Sequence, residues 1–420
     1  MHCKQTELKE LTRDRGDIAL SLPACLVNLT FEYSDVTEHI IKMLATSPED
    51  LKEWMQILWY NVVLKHTDLW RLIVMSVEHN SIECLRLMLS VNGLQSKTLD
   101  WSKLISVPLI EACSRGSLHV IMLLHQSGKL TPTTVRAENN MALRLTCRHG
   151  HRAVLQYLHE TWCLTAEDVR AEKNYALRYA CANGHLSVVQ YLYTQLHLTS
   201  EDVRACDNAA LKQSCGNGHS AVVQFTHDTW GLSADDLKGS FFDVFYEVCR
   251  DGHVAVLRLL HDVFHLTATE NRPYSVVDNT DVIREWGCQA VTAACANGHL
   301  AVVQCLHDTW HLSDSQVRGG NNEPLGRACG GGHLDLVKYM CDTWKLTTED
   351  IRSESNFAFR RACEYGHLAM VQYLHDAWHL TVADLRSERD YALRSAEKNG
   401  HHLVVRFIHH ALALSAEHLK

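Results

Sequence analysis

A Gly-His pair recurs along this chain at a fixed interval, and that interval limits the possible fold more than any other feature. The pair falls at 150–151, 184–185, 218–219 and 252–253, then at 298–299, 332–333, 366–367 and 400–401. Within each group the spacing is 34 residues; between the groups it is 46, one period plus a 12-residue insertion. Upstream, Gly116-Ser117 keeps the same phase, and Asn80-Ser81 marks a degenerate first unit. About ten units therefore run from residue 68 to the end of the chain. A unit this short cannot bury its apolar surface alone, so neighbours must stack into an array rather than share one large core.

The unit beginning at Asn174 shows the local plan. Asn174 is expected to cap a helix, its side chain accepting from an orphan backbone amide. Leu177, Ala180 and Cys181 follow at three- and four-residue spacing, which places one apolar stripe on a short helix. Gly184 can take the left-handed conformation that ends it. A second helix with Leu186, Val188, Val189, Tyr191 and Leu192 on its inner face comes next. Thr199-Ser200-Glu201-Asp202 then fits a capping box, repeated at Thr165 to Asp168, Ser233 to Asp236 and Thr347 to Asp350. Arg136, Arg170, Arg204, Arg318, Arg352 and Arg386 lie in register just beyond it. Each linker is thus expected to contain a short helical turn.

The run Ala-Leu-Arg-x-Ala-Cys-x-x-Gly-His-Leu-x-Val-Val-Gln-Tyr-Leu resembles the ankyrin repeat. Glu323-Pro324-Leu325-Gly326-Arg327-Ala328-Cys329 with Gly332-His333-Leu334 is the closest copy, and Val107-Pro108-Leu109 is a near match at a helix start. The Asn-x-Ala-Leu-Arg form looks like ankyrin arrays of giant viruses of amoebae. The resemblance implies an all-α helical solenoid of about ten 34-residue repeats, covering residues 68–420. It also implies a long concave surface which, with the finger loops, holds protein partners. Where the family has a hairpin finger, Leu-Thr-x-Glu-Asp-Val-Arg stands here, so a helical finger is expected.

Composition narrows the function. The net charge of −9 argues against a general nucleic-acid binder, which would carry a basic stripe. The N-terminus is charged, and no apolar run approaches the roughly 18 residues that span a bilayer. A cytoplasmic monomer with a protein partner, no nucleic acid and no membrane is the expectation, inside a host cell if the chain is viral. Most of the sixteen cysteines recur once per unit beside apolar residues, which suits reduced, buried thiols.

Some spacings invite chemistry. Cys and His stand four apart at Cys147/His151, Cys181/His185, Cys215/His219, Cys249/His253, Cys295/His299, Cys329/His333 and Cys363/His367. Zinc would need such ligands around one point, but the intervening glycine ends the helix and separates the side chains. Structural roles, with no metal and no cofactor, are expected. A second series, His125, His159, His227, His261, His307, His375 and His409, is followed by Trp162, Trp230, Phe264, Trp310, Trp344 and Trp378; packing between units is the expected role. No phosphate loop, nucleophile elbow or metalloprotease motif is present, and acids such as Glu167-Asp168 fall in capping boxes. The chain is not expected to be an enzyme.

Candidate partner-binding residues are those the repeat leaves free to vary. Just before the Ala/Thr/Ser-Cys step stand Leu145, Tyr179, Gln213, Glu247, Ala293, Arg327, Arg361 and Ser395. The strongest are Tyr179, Gln213, Glu247, Arg327 and Arg361. The insertion at 269–280 adds Asn271, Arg272 and Tyr274, since insertions in repeat arrays map to loops on the binding face; a tolerated loop expansion is the other reading. Residues 1–67 lack the period. Ser47-Pro48-Glu49-Asp50 starts a helix carrying Leu51, Trp54, Met55, Leu58 and Val62, which suits an N-terminal helical cap. Leu22-Pro23 and the residues to Phe31 are similar to the start of an F-box, which would make the chain a substrate-recognition adaptor of a ubiquitin ligase instead.

Overall fold

In the computed structural model, residues 101–265 and 280–417 are described, together with Val77 and Arg86. The N-terminal cap, the F-box-like stretch, the degenerate unit at Asn80-Ser81 and the insertion as far as Asn279 lie outside the described residues. Every regular element among the described residues is helical, in line with the expected all-α array. By contact the chain divides into residues 1–146 with 153–164, and residues 147–152 with 165–420.

In the first unit, Trp101–Arg115 and Leu118–Gln126 form a helix pair across Gly116, whose φ is 70°. Ile105, Leu109, Ala112 and Cys113 are fully buried, as are Val120, Ile121 and Leu124. Pro108 lies inside its helix rather than at the start; the helix begins a full turn and more earlier than the family pattern suggested. Thr131 caps the short helix Pro132–Val135 by accepting from the Thr134 amide at 3.2 Å. The His125 ring sits 4.9 Å from that of Trp162, so this His–Trp pair packs one repeat on the next.

The second unit repeats one arrangement. Ala176, Leu177, Ala180 and Cys181 are buried on the first helix, and Val188, Val189, Tyr191 and Leu192 on the second; Leu186 is only half-buried. Gly184 between them has φ +75°. Aromatic packing recurs as His227 on Phe264 at 5.2 Å, His261 on Trp310 at 5.6 Å and His307 on Trp344 at 5.2 Å. Trp378 is less enclosed, half-buried where the other members of the stripe are buried.

The fingers are helical as expected. Ser200–Val203, Asp314–Val317 and Val382–Leu385 are single turns, and Ala234–Leu237 is a 3₁₀ turn. Capping boxes precede them at Thr199/Asp202, Ser313/Gln316, Thr381/Asp384 and Ser233/Asp236. Each aspartate has a second task. Asp202 accepts from Arg170 Nε at 2.7 Å and Nη2 at 3.1 Å, across one repeat. Arg204–Asp236, Arg318–Asp350 and Arg352–Asp384 repeat the pairing at 2.6, 3.1 and 2.9 Å.

Asn174 departs from its expected role. It adopts φ 58°, ψ 35°, after Glu172 and Lys173, which are also left-handed, and its buried Oδ1 accepts no hydrogen bond. A left-handed turn of three non-glycine residues is costly, roughly 1–2 kcal/mol per residue. Arg178, one helical turn on, holds it: Nε donates to the Lys173 carbonyl at 2.8 Å and Nη2 to that of Glu172 at 3.3 Å. Arg144 does the same for Glu138 and Asn139, while Arg360 and Arg394 donate to Glu354 and Glu388. Where Tyr246 replaces the arginine, the chain uses Gly239 and an ordinary entry into Phe241–Arg250. The same left-handed turn forms at Cys206, Asp207 and Asn208 and at Gly320, Asn321 and Asn322, where Lys212 and Gly326 hold the equivalent position, so the arginine of Asn-x-Ala-Leu-Arg braces the turn without being required for it.

Candidate functional site

The Gly-His pair proves to be a staple between repeats. His185 Nε2 donates to the Arg148 carbonyl at 2.9 Å, and His299, His333, His367 and His401 reach Arg250, Ala296, Gly330 and Glu364 at 2.9, 3.1, 2.9 and 3.0 Å. A carbonyl only accepts, so Nε2 carries the proton. Asn183, Asn217, Asn297 and Asn399 add amide donors to the same row of carbonyls at 2.7–2.8 Å. The ring also covers the preceding glycine so closely that a Cβ on Gly150 or Gly184 would collide with His185 or His219. Burial, opposed by the bond to Ala182 and reinforced by His185 and His253, lowers the affinity of His219 for a second proton.

The cysteines of the Cys-x-x-x-His spacing do something else. Cys181 and Cys215 are wholly buried, and burial pushes each thiol up to about 12. Cysteine and histidine of one unit thus serve the core and the staple. Among the described residues no three His, Cys, Asp or Glu side chains gather around one point.

What remains open is the outward face of the first helices. Tyr179 is half-buried and stacks on Tyr175 at 4.1 Å, with the Arg148 guanidinium 5.1 Å from its ring centre. Gln213 and Glu247 are exposed. Arg327 is half-buried and pairs with Glu323 at 2.9 Å. Arg361 pairs with Glu364 at 3.0 Å and lies 4.6 Å from the ring of Tyr365, which is 48% exposed. Leu145 and Ser395 are half-buried, but Ala293 is buried and leaves the candidate set. Asn271, Arg272 and Tyr274 lie outside the described residues.

Sequence reasoning missed Arg148, Tyr175, Asp243 and Tyr365 on this face. Their signal was available, because Tyr175 and Asp243 stand four residues before Tyr179 and Glu247 and so share a helix side. The Arg–Asp pairs were visible only as two rows in register. No described helix is long and apolar enough to cross a membrane.

Residues 109–205 match the family model of ankyrin repeats, as three copies. No curated protein matches the chain at a significant level. The matched stretch holds helix pairs and Gly-His turns described above, and the same plan recurs beyond it; residues 109–205 are ankyrin repeats.

Proposed function

We propose that the chain is a non-enzymatic scaffold that binds a protein partner on the face formed by its first helices and finger turns. Ankyrin repeats generally mediate protein–protein interaction, and the family is typically without catalytic activity. One observation carries the reading to this face: the core, staple and finger residues repeat, whereas the solvent-accessible position held by Tyr179, Gln213, Glu247, Arg327 and Arg361 varies along the array. The capping aspartates Asp202, Asp236, Asp350 and Asp384, which would be the natural acid candidates, are committed to arginines of the neighbouring repeats. The insertion residues Asn271, Arg272 and Tyr274 belong to the same proposal.

The reading includes a cytoplasmic monomer without nucleic-acid or membrane partners; its acidic balance and its buried free thiols support it. Affinity purification with mass spectrometry tests it, comparing the full chain with a Tyr179→Ala, Gln213→Arg, Glu247→Ala variant of unchanged circular dichroism. A partner recovered by the first and lost from the second supports the scaffold. Equal recovery, or none, counts against it. Because of the Leu22-Pro23 stretch, a ubiquitin-ligase subunit among the recovered proteins would favour the adaptor reading instead.

A further inference from the structure

The outward face of the second unit changes sign along the repeats. Residues 147–152, 173–200 and 208–227 contain no aspartate or glutamate, in a chain whose net charge is −9. Arg148 is exposed there and Arg178 half-buried. Their guanidinium carbons lie 5.1 and 5.8 Å from the Tyr179 ring centre, and Arg148 Nη1 donates to the Tyr175 hydroxyl at 2.9 Å. The stacked tyrosines hold these cations in place by π contacts, which position the charge without neutralising it.

Two repeats further on, the positions equivalent to Tyr175 and Tyr179 are occupied by Asp243 and Glu247, both exposed. Neither lies within 4 Å of a cationic group of another described residue, although Glu247 is close enough to Arg250 to feel its charge. Asp251, one turn later, is already matched by Arg250 at 2.6 Å. Beyond this point the face neutralises itself, through Arg327–Glu323 and Arg361–Glu364. Among the described residues, a patch richer in basic side chains and one richer in acidic side chains therefore share the row of first helices.

We propose that this face binds a partner segment of segregated charge, with acidic residues over Arg148 and Arg178 and basic residues over Asp243 and Glu247. The proposal rests on the protein-binding reading above and names the chemistry of the partner. At about 10 Å per stacked helix the patches are roughly 20 Å apart. An extended segment at roughly 3.3 Å per residue crosses that distance in about six residues. Opposed charges of this kind set orientation and register more than affinity.

The test uses the full chain and fluorescein-labelled synthetic peptides, read by fluorescence anisotropy. One peptide carries a glutamate block, a Gly/Ser spacer of about six residues and a lysine block; the other alternates the same residues. The block peptide is expected to bind about tenfold more tightly than the alternating one. Arg148→Glu and Glu247→Lys are each expected to weaken it roughly fivefold. Arg148→Glu should also raise affinity for an all-lysine peptide. Both side chains are exposed, and circular dichroism checks that each variant folds. Equal binding of the two peptides, indifference to both substitutions, no binding near 1 mM, roughly −4 kcal/mol, or binding of polyuridylate in place of the block peptide overturns the proposal. A partner recovered by affinity capture that ignores Arg148 and Glu247 would sink this inference alone; recovery of no partner would sink the protein-binding reading.

Discussion

Removing one capping aspartate should loosen two repeats at once. Asp202 is 4% exposed, accepts from the Thr199 amide at 2.9 Å and holds Arg170 by two hydrogen bonds. Loss of the cap costs about 1 kcal/mol. A shielded charge-assisted pair would add about 1.5–3 kcal/mol. The Arg170 side chain is 36% exposed, however, so screening reduces its share to roughly 1 kcal/mol. Asp202→Ala should therefore cost about 2–3 kcal/mol, and Arg170→Ala about 1–2 kcal/mol, because it leaves a buried carboxylate without its cation. The double variant should fall short of the sum by about 1 kcal/mol, the coupling between the two groups. Repeat arrays open locally, so the assay is hydrogen exchange by mass spectrometry over residues 199–212, alongside urea unfolding. Burial opposes ionisation of Asp202, but Arg170 and the Thr199 amide outweigh it and hold the carboxyl below its ordinary 3.8. The coupling should thus be complete above that value and fade as pH falls through the lower folded one. Strictly additive single effects at pH 7 would refute the reasoning.

Three further outcomes follow from the same geometry. Gly184→Ala, with φ +75° and the His219 ring in the way, should cost about 2–4 kcal/mol, whereas Gly128→Ala, with φ +69° and open space, should cost only about 1–2 kcal/mol; urea midpoints compare them. Lys173→Gly, at φ 57°, should stabilise the array by about 0.5–1 kcal/mol in the same assay, an unusual sign for a glycine substitution. The lowered proton affinity of half-buried His219 means that the unfolded chain binds protons more readily, so its contribution is intact above about 6.5 and declines as pH falls below it. The melting temperature should therefore be lower at pH 5.5 than at pH 7.5, and His219→Gln should reduce the difference.

Much of the fold is legible in the sequence because the same physical demand recurs in each unit. Leu177, Ala180 and Cys181 are buried where helical spacing puts them, and Thr199 with Asp202 caps a turn as its chemistry requires. The left-handed turn was not legible, since Glu172, Lys173 and Asn174 adopt backbone angles that their own propensities disfavour. Arg178, a few residues away, braces this turn, but the same turn forms beside Lys212 and Gly326. The staple was half legible: Gly184 announced a helix end, but the use of its empty Cβ position by His219 depends on the stacking of the next unit. Of the candidate surface, the variable row was readable, and so was the pairing of Arg327 with Glu323 and Arg361 with Glu364 at helical spacing, whereas the burial of Ala293 arises only in three dimensions.

The central claim is that a protein partner lies on the first-helix face. Site-specific photo-crosslinking addresses it most directly, with p-benzoylphenylalanine in place of Gln213 on that face or of Gln190 on the second helix, both exposed positions of the full chain. The account predicts a protein adduct from position 213 and little from position 190. Adducts from position 190 alone, or from neither, would contradict it.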